Sequence, residues 1–105
     1  MMDFIFEVRD KTGRKIRLTP KQHTHMLKDH PYMHKYIEEM KETLQKPDKM
    51  TSYSFDKYVR YYYKGYKHIE KPNKFILVIV KYLNGDGYVI SSYLEKNIKK
   101  YILEK

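Results

Sequence analysis

The chain contains no cysteine and no tryptophan, and only four prolines and four glycines. Without cysteine there is neither a disulfide framework nor a thiolate metal site, a pattern that suits a reducing, cytoplasmic setting. Acidic residues are scarce relative to basic ones: 13 Asp and Glu stand against 22 Lys and Arg, a formal charge of +9. That excess goes beyond what solubility requires and points to an anionic partner. Long hydrophobic runs are missing too. The longest, Phe75 to Val80, falls far short of the roughly 20 residues that cross a bilayer as a helix. The opening residues Asp3-Phe4-Ile5-Phe6-Glu7 interleave acidic with apolar side chains, which is not a signal-peptide pattern. The basic residues lie among tyrosines, and no basic amphipathic helix carries a bulky apolar face. Nucleic acid, RNA in particular, is therefore the expected partner, with no membrane association.

What is present fits one domain over residues 1–105, with a single modest core. Phe4, Phe6 and Val8 alternate with Ile5, Glu7 and Arg9, and Asp10-Lys11-Thr12-Gly13 turns the chain into Lys15-Ile16-Arg17-Leu18, the pattern of a β-hairpin. Thr19-Pro20-Lys21-Gln22 places a capping Thr, a first-turn Pro and a Gln at the third position, which opens a helix. Pro31 turns His30 away from helical dihedrals, so this helix should stop near Asp29 and a second begin at Pro31 or Tyr32. Met33, Tyr36, Ile37, Met40 and Leu44 recur at helical spacing until Pro47. From Thr51 the period becomes two. Tyr53 and Phe55, then Tyr58 to Lys64, read as strands around a turn at Asp56-Lys57. Phe75 to Val80 reads as a central strand, and Asn84-Gly85-Asp86-Gly87 as a hairpin turn into Tyr88 to Tyr93. Leu94, Ile98, Tyr101 and Ile102 share a helical face. The prediction is an α+β fold: an antiparallel four-stranded sheet with N-terminal helices packed on one face, plus an N-terminal β-hairpin and a C-terminal helix.

Tyrosine is abundant, with 12 in the chain. Tyr58, Tyr61, Tyr62, Tyr63 and Tyr66 cluster among Arg60, Lys64 and Lys67. Rings offer stacking faces for unpaired bases while cations meet phosphates. Tyr62, Tyr63 and Lys67 are the expected RNA contacts here. Arg60, Tyr62 and Lys64 share one strand face, expected to face the ligand, and Val59, Tyr61 and Tyr63 share the other. The simpler alternative is that many of these rings fill the core. Histidine, which moves protons near neutral pH, stands at positions 23, 25, 30, 34 and 68. His30 and His34 have i, i+4 spacing, but Pro31 intervenes and no third ligand falls at a zinc spacing, so no metal site is expected. Val89, Ser91 and Tyr93 share one face of the last strand, and Ser91 and Ser92 can also serve nearby backbone groups. There is no phosphate loop, nucleophile elbow or paired-carboxylate signature.

In order and spacing, Ile16-Arg17-Leu18-Thr19, His25, Asp29-His30-Pro31, Leu44-Gln45-Lys46-Pro47-Asp48, Arg60-Tyr61-Tyr62-Tyr63-Lys64, Val78-Ile79-Val80-Lys81 and Tyr88-Val89-Ile90-Ser91-Ser92-Tyr93 resemble a known family. It is that of the small metal-independent ribonucleases of the barnase, EndoU, colicin and RelE-like superfamily, including its phage and mobile-element branch. The resemblance runs from about residue 16 to residue 100. It implies a sheet whose open face holds RNA, and an endoribonuclease in which the ribose 2′-hydroxyl attacks its own phosphate to leave a cyclic phosphate, with no cofactor. Such a reaction needs a base, an acid and a cation for the charge on phosphorus. On matching positions the resemblance makes His25 the base or acid, with His30 as second choice. It puts Arg60 and Lys64 on the scissile phosphate, Tyr62 against a base, and the hydroxyls of Ser91 and Tyr93 as donors. The chain departs from the family pattern at Tyr32, where a Glu usually follows the His-Pro pair, and at Ser91, where a Thr is usual. The family likeness further implies a toxin or phage-borne effector held in check by an antitoxin or immunity protein. The residues alone also support an alternative: a non-catalytic RNA- or DNA-binding module of the same fold.

Overall fold

The computed structural model describes residues 4–53 and 55–99. Its first elements are the hairpin strands β1 (Phe6–Arg9) and β2 (Lys15–Leu18), followed by α1 (Pro20–Asp29), a 3-10 helix (Pro31–Lys35) and α2 (Ile37–Gln45). Four strands follow: β3 (Lys49–Tyr53), β4 (Asp56–Gly65), β5 (Phe75–Leu83) and β6 (Asp86–Glu95).

The turn between β1 and β2 is organised by Asp10. Its Oδ1 accepts from Thr12 N at 2.8 Å, Thr12 Oγ1 at 2.6 Å and Arg14 N at 3.0 Å. α1 starts where Thr19 Oγ1 accepts from Gln22 N at 3.2 Å, which satisfies one of the helix's orphan donors. Gln22 does not reach back to close the capping box. Its Nε2 donates instead to Ile90 O at 2.9 Å, fixing α1 beside the bulge in β6. The periodic stretch from Met33 to Leu44 is divided at Tyr36, whose φ of −113° and ψ of 22° separate the 3-10 helix from α2.

The sheet has six strands in the order β1-β2-β6-β5-β4-β3. This corrects the expected four-stranded antiparallel sheet. β3 to β6 pair antiparallel with their sequence neighbours, but β2 joins β6 in parallel through Ile16↔Gly87 and Arg17↔Tyr88, so the N-terminal hairpin extends the sheet and makes it mixed. The join is close-packed at Gly87. A Cβ on Gly87 would lie 2.4 Å from Ile16 Cδ1 and 2.9 Å from Val80 Cγ1. The turn between β5 and β6 puts Asn84 at φ 55° and Gly85 at φ 88°, the two left-handed positions of a tight hairpin whose twist matches the strands.

The expected C-terminal helix is corrected as well. Leu94 and Glu95 continue β6, paired with Ile76 and Phe75, because β5 is long enough to offer them ladder partners. Residues 96–99 form no helix. Ile98 packs on the sheet face away from the helices, and Tyr101 and Ile102 lie outside the described residues.

The main core lies between sheet and helices. Met26, Met33, Met40 and Leu44 from the helical segments meet Ile16, Leu18, Tyr62, Ile76, Val78, Val80 and Val89 from the strands. The opposite face carries a smaller cluster of Val59, Tyr63, Leu77 and Ile79, bordered by Tyr53, Tyr61, Phe75 and Tyr93. Alternation along β4 thus assigns Arg60, Tyr62 and Lys64 to the helix side.

Candidate nucleic-acid interface

Tyr62 sits at 0 % exposure in the main core. Its hydroxyl donates to Asp10 Oδ2 and lies against Tyr82 Oη, and Tyr82 Oη donates to the same carboxylate oxygen at 2.5 Å. Burial pushes the Asp10 carboxyl up, but the hydrogen bonds from Thr12, Tyr62, Tyr82 and Arg14 outweigh it and hold the group below its ordinary value. Burial and the neighbouring carboxylate push both phenols up. Tyr62 cannot stack a base, and Tyr63, also at 0 % exposure in the cluster on the other face, cannot either. Both corrections have one cause: at Tyr62 and Tyr63 the strand lies between two packed clusters, so large rings there are buried on either face.

The residues expected to act together fall in different places. His25 lies exposed on α1 with no hydrogen bond, ion pair or ring contact among the described residues. His30 ends α1, its ring 4.8 Å from that of Tyr93 and its Nδ1 3.4 Å from Tyr32 Oη. Burial first, then Glu95 and the rings around it, push the Tyr93 phenol up to about 12. At neutral pH its hydroxyl can donate but cannot serve as a base. Ser91, opposite Ile79, is on the same face as Tyr93, whereas buried Ser92 spends its hydroxyl on Leu77 O at 2.7 Å. Lys64 pairs with Asp48 at 3.8 Å. Arg60 and Lys64 are four residues apart on one strand, about 13 Å by strand rise, on the side away from Tyr93. The fold therefore brings His30 to Tyr93, spaces Lys64 from Arg60 along β4, and joins His25 to neither cation by a hydrogen bond among the described residues.

Arg60 belongs to a different constellation. A cleft of about 390 Å³ opens between the β1–β2 turn and the tips of the β3–β4 and β5–β6 hairpins, lined by Arg14, Lys57, Tyr58, Arg60, Tyr82 and the Asn84 turn. The Arg14 guanidinium lies 4.6 Å from the centre of the Tyr82 ring, and Lys57 Nζ lies 5.3 Å from that of Tyr58. Arg60 Nη1 donates to Lys57 O at 2.6 Å and Val59 O at 3.2 Å, which fixes the guanidinium at the cleft wall with donors to spare. None of the three cations has a carboxylate partner among the described residues. Asp56, next to Lys57, is turned elsewhere: it accepts from Tyr58 N at 2.9 Å and pairs with Lys81 at 3.0 Å, contacts that lower its pKa. Tyr58 is 53 % and Phe55 67 % exposed on the adjoining hairpin. Neither protein-family models, curated proteins nor solved structures give a match to this chain.

Sequence reasoning placed Arg60 and Tyr58 in a basic, tyrosine-rich stretch, but Arg14 and Tyr82 were missed. Lys67 is exposed in the loop after β4, away from this cleft. Among the described residues no group of His, Asp and Glu could hold a metal ion, and no helix is long and apolar enough to cross a membrane.

Proposed function

We propose that this protein binds single-stranded RNA at the hairpin-end cleft, as a binding module that does not cut the strand. The observation that carries the reading is the convergence of Arg14, Lys57 and Arg60, none with a carboxylate partner among the described residues, on the rings of Tyr58 and Tyr82. Phosphates meet the cations, and an unpaired base stacks on the exposed ring of Tyr58. A duplex keeps its bases stacked inside and cannot use that ring. The spacing of Arg60 and Lys64 along β4, and the lack of any contact from His25 to either among the described residues, favour binding over the ribonuclease chemistry implied by the family resemblance, because proton transfer needs its groups within hydrogen-bond reach of one phosphate.

The test is fluorescence anisotropy with a labelled oligouridylate of about twelve nucleotides, in EDTA, followed by electrophoresis of the same RNA. Arg14→Glu with Arg60→Glu should weaken binding at least about tenfold, since two favourable charges become repulsive. Tyr58→Ala should weaken single-strand binding by about 1–3 kcal/mol and leave duplex binding unchanged. Binding that ignores both variants would sink the assignment. Fragments with cyclic phosphate ends, lost in His25→Ala, would instead return the ribonuclease reading.

A further inference from the structure

The loop joining β4 to β5 borders a second, half-open cavity of about 800 Å³ whose surface is mainly apolar, with Tyr66, Pro72 and Phe75 in its lining. Backbone hydrogen bonds hold the loop in shape: Tyr66 N to Lys74 O at 3.0 Å, Asn73 N to Glu70 O at 3.1 Å and Lys74 N to Glu95 O at 2.9 Å. Ile69, at 3 % exposure, anchors the loop in the main core. The Tyr66 hydroxyl is fixed by Glu42 Oε1 at 2.6 Å, and the Phe75 ring stands edge-on to Tyr63 with centroids 6.4 Å apart. A preformed apolar concavity of this size is what a small organic ligand needs.

Its lining is charged on one side of the ledger only. Lys67, Lys71 and Lys74 stand around the cavity, all exposed and none in an ion pair among the described residues. Among the described residues the lining contains no carboxylate. Asp48, beside Gly65, is already engaged by Gly65 N at 2.7 Å and by Lys64. We infer that this cavity binds a small amphipathic organic anion, its apolar body against Tyr66, Pro72 and Phe75 and its acidic head among Lys67, Lys71 and Lys74. The site is separate from the RNA cleft and does not depend on it.

The probe is anilinonaphthalene sulfonate, whose fluorescence rises when its rings leave water, titrated into the full chain. The parent should bind it saturably. Lys67→Glu, Lys71→Glu and Lys74→Glu combined should weaken binding at least about tenfold, since three attractive charges become repulsive. Asn73→Trp, which keeps the charge and fills the space, should weaken it as well. Thermal unfolding shows whether each variant is folded, and Arg14→Glu with Arg60→Glu should leave the probe's affinity unchanged. Displacement by laurate identifies an acyl body, and displacement by adenosine monophosphate an aromatic one. Equal binding by parent and charge-reversed chain, displacement by inorganic phosphate as effective as by either organic anion, or displacement by neither of them would overturn the inference.

Discussion

Asp10 lies beneath the Arg14 turn at 5 % exposure, its carboxylate taken up by Thr12, the Arg14 N–H, Tyr62 and Tyr82. A buried carboxylate in such a setting stabilises the fold only while it is ionised. Because its folded-state pKa lies below the ordinary 3.8, the unfolded chain binds the proton more readily, and the contribution is complete above that value. It fades as pH falls through the lower, folded-state pKa. Asp10→Asn should therefore lower unfolding stability at pH 7 by about 2 kcal/mol, measured by urea denaturation, and the difference from the parent should shrink on acidification below about pH 4. A constant difference across that range would mean that Asp10 acts through shape alone. Gly87 makes the complementary case, where the missing side chain matters. Its Cβ would meet Ile16, Val80 and Tyr82 within 3.1 Å, and Gly87→Ala should destabilise by about 1–3 kcal/mol through overpacking. Thermal unfolding would reveal it, and an unchanged midpoint would contradict the contact.

Among the elements, α1 depends most on local chemistry. Thr19 caps it and Pro20 starts it, so Thr19→Ala should cost about 1 kcal/mol in chemical denaturation. The Gln22 side chain adds a tertiary tie to Ile90 O at the register shift where Ile79 faces Ser91 and Val80 faces Val89. Beyond Tyr88 no strand among the described residues pairs with β6 on the β2 side, and α1 with the 3-10 helix stands there, bringing His30 and Tyr32 to the strand's far end. β4 shows what an element decides for its side chains. Along one strand Tyr62 and Tyr63 are buried on opposite faces and Val59 joins the smaller cluster, while Tyr58 at the start remains exposed.

Across the whole molecule, the charge of +9 becomes useful only where the fold leaves cations unpaired. If the cleft between the hairpin tips holds phosphates, the logarithm of the RNA binding constant should fall linearly with that of salt concentration. Each phosphate contact contributes about −0.7 to the slope for a single strand, so Arg14→Ala with Arg60→Ala should flatten it by about 1.4. An unchanged slope would place the phosphates elsewhere. Much of the secondary structure was legible in the residues: Thr19-Pro20 and Pro31 set the helix boundaries, alternation marked β1, β2 and β4, and Asn84-Gly85 marked the last hairpin. All are local signals, carried by backbone sterics and by apolar spacing within a few positions. The six-stranded order and the cleft were not legible. Alternation divides Arg60, Tyr62 and Lys64 from Tyr61 and Tyr63, but it does not say which face the helices cover. Nor does it say that the β1–β2 hairpin joins β6, since Arg17 and Tyr88 carry no mark of each other. The sequence by itself determined the N-terminal hairpin, the limits of α1 and the turn between β5 and β6, along with the excess of positive charge and the stock of rings. Tertiary packing decided which rings are buried and which cations meet, because burial and charge pairing depend on neighbours brought from distant positions, such as Arg14 over Tyr82.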